Sequence, residues 1–199
     1  MKNNSLVYDV GINDADYLLT HYTRENGKQK LIWRCHFYTT WTSMLKRCYS
    51  KTYKEKHPSY KDCSVCDEWL TFSNFKSWME SQDYKDKQLD KDLLVEGNKI
   101  YSPATCVFVD VKINTFTTDC NAARGKYPLG VYWNKSKNKF KAQCRNPFTG
   151  KQKTLGLFTN ELEAHHAWKR KKHEHAYALA NSQYCNDPRL SEALKSRYL

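Results

Sequence analysis

Residues 127–180 read YPLGVYWNKSKNKFKAQCRNPFTGKQKTLGLFTNELEAHHAWKRKKHEHAYALA. Val131 and Trp133 alternate with Tyr132 and Asn134. Phe140, Ala142 and Cys144 alternate with Lys139, Lys141, Gln143 and Arg145. Leu155 and Leu157, with Phe158 after them, make a third apolar series. A period of two sends successive side chains to opposite faces of a strand, so each run predicts one buried face and one basic, polar face. The segments 134–138 (NKSKN) and 146–150 (NPFTG) have the composition of hairpin turns. Thr159 or Asn160 can cap the helix that follows, and Glu163 completes a capping box if the cap is Asn160. Ala164, Ala167, Trp168 and His175 share one stripe of that helix, small enough at its start to lie close on a sheet.

The charge of this stretch narrows its partner. Nine lysines and two arginines against Glu161, Glu163 and Glu174 leave +8 of the whole chain's +12. A basic excess concentrated on a small β-plus-helix unit points to a polyanion, with nucleic acid first. His165, His166, His173 and His175 suggest a metal site, but His166 and Arg170 lie one helical turn apart, and a solvated helix face is the preferred reading.

Working outward, 199 residues with 40% hydrophobic and 14% aromatic composition provide enough apolar surface for real cores. No apolar run reaches the roughly 20 residues of a membrane helix. The segment 1–8 (MKNNSLVY) lacks the apolar core of a signal peptide. The expectation is therefore an intracellular chain without a membrane partner, its eight cysteines mostly reduced.

Upstream, residues 1–32 are polar and weakly periodic, with turn signals at Gly11–Asp14 and Glu25–Gly27, and read as an N-terminal arm. Trp41, Met44, Leu45 and Cys48 fall at i, i+3, i+4 and i+7 on one helical face. Residues 57–62 read as a loop, and Phe72, Phe75, Trp78 and Met79 mark the buried side of a second helix. After a polar break at 81–87, Leu89–Leu94 reads as a strand, Glu96–Asn98 as a tight turn, Cys106–Val109 as a return strand and Val111–Cys120 as a short helix. Asn121–Lys126 reads as a linker. Four units follow: an arm at 1–32, a domain at 33–123, a second domain at 127–182 and a tail at 183–199.

The C-terminal unit resembles the APETALA/ethylene-response-factor DNA-binding domain, relatives of which occur in phage homing endonucleases. Gly130-Val131, Lys139-Phe140-Lys141-Ala142, Leu155-Gly156-Leu157-Phe158, Glu163-Ala164 and Ala167-Trp168 carry the resemblance over about 55 residues. It implies that the exposed sheet face lies in the major groove of double-stranded DNA. By position, the readers are Tyr132, Asn134, Lys137, Gln143, Arg145, Gln152 and Thr154, and the phosphate neutralisers are Lys139, Lys141 and Lys153. Arg145 suits guanine, and Asn134 or Gln143 suits adenine. Plant members place arginines and tryptophans where this chain has Tyr132, Lys137 and Thr154, so a plant-like target sequence is not implied.

The central unit resembles phage HNH-like proteins that carry such a DNA-binding module. Its matching residues include Trp41, Arg47-Cys48-Tyr49, Val65-Cys66-Asp67-Glu68-Trp69, Leu89-Asp90-Lys91-Asp92, Gly97-Asn98, Tyr101-Ser102-Pro103, Cys106 and Asn114. The fold implied is α+β, a ββα-type HNH-like domain with flanking helices before a small three-stranded antiparallel sheet packed on one helix. The function implied is a metal-dependent endonuclease of phage type, acting in the cytoplasm of an infected bacterial host. Asp90 and Asn114 would hold Mg²⁺ or Mn²⁺, and Asn98 would support the turn or orient the base.

Lys91 stands where those nucleases place the histidine base, and a lysine with an ordinary pKa of about 10.4 is protonated at neutral pH. Lys91 could neutralise phosphate charge beside the metal while the metal or Asp92 activates water. Alternatively, the hairpin is a retired nuclease that only grips DNA, in a catalytically inactive binding or regulatory protein. Asp90, Lys91 and Asp92 as plain surface charges, and RNA as partner through stacking on Tyr132, complete the alternatives. No histidine lies between His57 and His165, and His36 or His57 could reach the site through the fold. Cys63 and Cys66 form half of a zinc motif that Cys48 and Cys106 could complete, although buried reduced thiols are preferred.

Overall fold

The computed structural model describes residues 6–118 and 126–199. Most of the expected linker, Cys120 and the end of the expected 111–120 helix lie outside these residues. The chain is α+β and divides into two compact units, residues 1–108 and 109–199.

The first unit departs at once from the expected arm. Val7 and Ile12 form isolated bridges to Gly11 and Thr71, and the Ile12 amide donates to the Leu70 carbonyl. Gly11 packs so closely on the core that a Cβ there would sit 2.4 Å from Leu45 Cδ1. Strands β1 (Thr20–Glu25) and β2 (Lys28–Arg34) then form an antiparallel hairpin. Asn26 and Gly27 at its tip both take positive φ, as a tight hairpin turn requires. The alternation test misses these strands because both of their faces are exposed.

Helix α1 (His36–Tyr49) buries Trp41, Met44, Leu45 and Cys48, the face expected from their spacing. Ser50 caps the short α2 (Lys51–Lys56), its hydroxyl accepting from the Tyr53 amide. Strand β3 (Ser64–Val65) precedes α3 (Phe72–Glu80), which buries Phe72, Phe75 and Met79 while Trp78 is half-buried. Trp41, Trp69, Phe72 and Phe75 make the aromatic centre of this core, with the Trp41 indole donating to the Trp69 carbonyl at 2.7 Å. That bond lets a large indole be buried with its N–H satisfied.

Strand β4 (Lys87–Asp90) ends four residues before the expected strand does. Residues 91–99 form a loop that turns at Gly97 (φ +76°), and β5 (Ile100–Tyr101) pairs in parallel with β3. Strand β6 (Val107–Asp110), inside which the two units divide, belongs to a two-stranded sheet with β4. Asp110 caps α4 (Val111–Thr117), accepting from the Lys112 amide. The strand–turn–strand–helix order is present, with an additional short strand inserted, and its helix groups with the C-terminal unit.

In the second unit β7 (Val131–Asn134), β8 (Lys139–Arg145) and β9 (Gln152–Phe158) form the expected antiparallel sheet in the order β7-β8-β9. Helix α5 (Glu161–Ala180) is capped by Asn160 and packs on all three strands. Val131, Ala142 and Ala164 are buried at that contact. Gly130 has φ +76°, and a Cβ there would lie 1.9 Å from Trp168 Cδ1, so the backbone and the indole occupy adjoining space that only glycine leaves free. The tail is structured. Asp187 caps α6 (Pro188–Ser196), which buries Leu190 and Leu194 and packs on α5. Among the described residues no helix is long and apolar enough to cross a membrane.

Candidate nucleic-acid interface

The register of β7, β8 and β9 fixes which side chains share a face. Tyr132 faces Lys141, Asn134 faces Lys139, Gln143 faces Thr154 and Arg145 faces Gln152. These eight point away from α5, because their neighbours Val131, Ala142 and Cys144 are buried on the helix side. A register shift at Ala142/Gln143 keeps Thr154 and Gln152 on the outer face despite the odd residue Leu155. Eight of the ten residues expected to meet nucleic acid are thereby joined in one surface.

The other two differ. Lys153 pairs with Cys144, whose side chain is buried on the helix side, and its charge acts on Glu174 and His175 of α5. Placing it with the outer-face phosphate neutralisers is therefore corrected: the strand's pleat turns it to the opposite face. Lys137 lies in the β7–β8 turn, where its amide donates to Asn134 Oδ1 at 3.1 Å. Asn134 Oδ1 also accepts from the Ser136 hydroxyl at 2.9 Å, so this oxygen organises the turn and only the amide nitrogen is left to face outward. Arg145 Nε donates to the Gly150 carbonyl at 2.8 Å, which steadies the guanidinium and leaves its terminal nitrogens available as a fork.

Electrostatics reinforce the geometry. The segment 127–160 contains no Asp or Glu, so no acid on these strands neutralises Lys139, Lys141 or Arg145. Three strands about 4.8 Å apart span about 10 Å, which matches the roughly 12 Å width of the DNA major groove. His166 and Arg170 of α5 are exposed, as expected. His165 instead stacks on Trp168, its Nδ1 hydrogen-bonded to the Leu129 carbonyl at 3.0 Å.

In the first unit, Asp90 closes β4 and shapes the loop. Its Oδ1 accepts from the amides of Asp92 (2.9 Å) and Leu93 (2.7 Å). Burial and the neighbouring Asp92 charge push its carboxyl above the ordinary value, outweighing the pull of those two amides and of Lys91. Lys91 and Asp92 lie in the loop beyond the strand. The Lys91 side chain is buried, with Nζ donating to Asp92 Oδ2 (2.8 Å) and to the Asn98 carbonyl (3.1 Å). Burial would lower the pKa of this ammonium, but the Asp92 hydrogen bond and charge win and raise it. Lys91 is thus held protonated and cannot serve as a base near neutral pH.

Asn98 supports the turn. Its Nδ2 donates to the carbonyls of Lys91 (2.6 Å) and Ile100 (2.7 Å), and its Oδ1 accepts from the Ile100 amide. Nearby, the Arg47 guanidinium lies over the Tyr60 ring and donates to Tyr101 Oη at 3.5 Å. Sequence reasoning gave Arg47 no part in this loop. His36 and His57 are engaged with aromatic rings, on Tyr84 and Tyr53 respectively. Asn114 lies on α4 in the second unit.

Cys48, Cys63 and Cys106 are buried and Cys66 half-buried. Burial pushes the Cys48 and Cys106 thiols up to about 12 and raises those of Cys63 and Cys66 as well. Thiols so placed behave as small hydrophobes. Among the described residues no group of three or more His, Cys, Asp or Glu side chains is arranged to hold a metal ion. A Mg²⁺ site needs fewer protein ligands than that, since this ion keeps several waters and takes one or two carboxylates with substrate phosphate. Asp90 fits such a role.

Comparison with family models, curated proteins and solved structures returned no match to this chain.

Proposed function

We propose that this protein binds double-stranded DNA through the outer face of the β7-β8-β9 sheet. The observation that carries the reading is the shared face itself. Lys139, Lys141 and Arg145 share one face with Tyr132, Gln143, Gln152 and Thr154, on strands free of acidic residues. Cations supply affinity through phosphate neutralisation, while the arginine fork and the glutamine amides can read base edges. Tyr132 adds an exposed ring at the rim of the face.

Fluorescence anisotropy on a labelled duplex, titrated across salt concentrations, tests this reading. Lys139→Ala with Lys141→Ala should reduce the slope of log K against log salt by about 1.8, at about 0.9 per charge. Lys153→Ala, on the opposite face, should change affinity less than either. Equal losses from Lys153 and Lys141, or tighter binding to single-stranded RNA than to duplex DNA, would remove the major-groove reading.

A second reading rests on Asp90. A carboxylate whose pKa is raised by burial and by Asp92, at the end of a strand before a tight turn, supports metal-dependent cleavage of phosphodiesters in the manner of HNH-like enzymes. Asp90 would hold Mg²⁺ or Mn²⁺, which would stabilise charge on the scissile phosphate. Lys91, protonated and occupied, contributes by holding the loop and not by moving a proton.

A further inference from the structure

The hairpin β1–β2 is exposed along nearly its whole length on both faces, with only Thr20 half-buried. A two-stranded hairpin is at best marginally stable alone in water, and this one is secured at its base. The Cys35 amide donates to the Leu19 carbonyl, and the Tyr17 hydroxyl contacts Cys35 Sγ. Beyond that anchor Tyr22, Leu31, Ile32 and Trp33 are between 45% and 55% exposed. Adjoining apolar side chains left open on a monomer mark a surface that meets a partner.

The charges on the same ribbon identify its chemistry. Arg24, Lys28, Lys30 and Arg34 are exposed, and Glu25 is the only acid, bound to Lys30 at 2.7 Å. The pairing Thr23↔Lys30 and Arg24↔Gln29 spreads cations and hydrogen-bonding groups over both faces of the hairpin. Tyr22 and Leu31 share the face that carries Arg24, whereas Lys28 and Lys30 share the other. A polyanion that encloses both sides accounts for cations on each. The DNA major groove admits a two-stranded ribbon, with phosphates on either wall and base edges on its floor. A shift in register between His21 and Tyr22 twists the ribbon more strongly near its base.

We propose that the β1–β2 hairpin is a second duplex-DNA contact, a ribbon that lies in a groove. Arg24 and Lys28 neutralise phosphates, and Trp33 and Leu31 pack against sugar and base edges. The proposal rests on the duplex-binding reading and adds a contact on a different unit from the sheet. It assigns a role to a segment that is otherwise an exposed liability.

The experiment uses the full chain and the same salt-dependent anisotropy titration. Arg24→Ala with Lys28→Ala is expected to reduce the salt slope by about 1.8, and by the same relation to weaken binding about 30-fold at 0.15 M salt. Trp33→Ala should weaken binding while leaving the slope unchanged, because apolar contact releases no counterions. These side chains are exposed, so far-UV circular dichroism and melting temperature should stay those of the wild type. If the wild type and the Lys139/Lys141 variant differ as described above but the hairpin variants match the wild type, the hairpin proposal is overturned alone. Its apolar residues then belong to a protein partner. If the wild type shows no salt-dependent duplex binding, both readings fail together.

Discussion

Lys91 Nζ donates to Asp92 Oδ2 at 2.8 Å, yet the two ends of this ion pair have unlike surroundings: the lysine side chain is 7% exposed and the aspartate 49%. Asp92→Ala leaves a buried ammonium with no anionic partner, facing the Asn98 carbonyl and the Tyr60 and Tyr101 rings. Lys91→Met leaves a half-exposed carboxylate that water can solvate. The expected costs are therefore unequal, about 2–4 kcal/mol for Asp92→Ala and about 1–2 kcal/mol for Lys91→Met. Urea denaturation of the two single variants and of the double variant checks this. Equal costs would mean that the pair is not the strut that holds the loop.

Gly130 and Gly150 share a positive φ but not a neighbourhood. At Gly130 an added Cβ meets the Trp168 ring at 1.9 Å, and at Gly150 the nearest atom is a terminal nitrogen of Arg145 at 3.5 Å. Gly150→Ala is expected to lose only the backbone preference, about 1–2 kcal/mol. Gly130→Ala must also displace the indole that α5 lays against this backbone, and should cost about 3 kcal/mol or more in thermal or chemical denaturation. Similar melting temperatures for the two variants would contradict the close packing of Gly130 on Trp168.

The pattern of what the sequence disclosed follows from which segments have one wet face and one dry face. The faces of α1 and of β8 were readable because a half-buried element imposes its period on the residues. The β1–β2 hairpin lacks a dry face, and only the Asn26-Gly27 turn signalled it. The α6 helix carried a local sign, Asp187 as cap before Pro188, although its two buried leucines are too few to show a strong period. Lys139, Lys141 and Lys153 are alike in sequence, whereas the pleat turns Lys153 to the opposite face. The Lys91 ion pair depends on a loop closing on itself through Asn98, a relation that spacing alone does not encode.

His175 gives the second unit a pH response. Burial lowers its pKa below the ordinary 6.5, and Lys171 and Lys172 on α5 and Lys153 on β9 push the same way, against Glu174. The unfolded chain therefore binds a proton before the folded one does. The stability tied to neutral His175 is present above pH 6.5 and lost as pH falls through the depressed folded value. Denaturant midpoints measured between pH 7.5 and 5 should fall for the wild type and fall less for His175→Gln. Parallel pH profiles would show that His175 contributes nothing to the acid limb.

Asp90 carries the sharpest test of the cleavage reading, because stability and activity should move in opposite directions. Its raised pKa means that the ionised carboxylate is disfavoured in the fold. The stability gained by protonating it is complete below the ordinary carboxylate value of 3.8 and is lost as pH rises through the raised one. At neutral pH Asp90→Asn removes that burden while keeping an oxygen to accept from the amides of Asp92 and Leu93. The variant should therefore be at least as stable as the wild type and bind duplex DNA unchanged. A supercoiled plasmid incubated with Mg²⁺ or Mn²⁺ should be nicked by the wild type, left intact in EDTA, and left intact by Asp90→Asn. Nicking that survives this substitution would place the reaction elsewhere, and a wild type that binds but nicks in neither metal would leave the protein as a DNA-binding protein whose hairpin loop is structural.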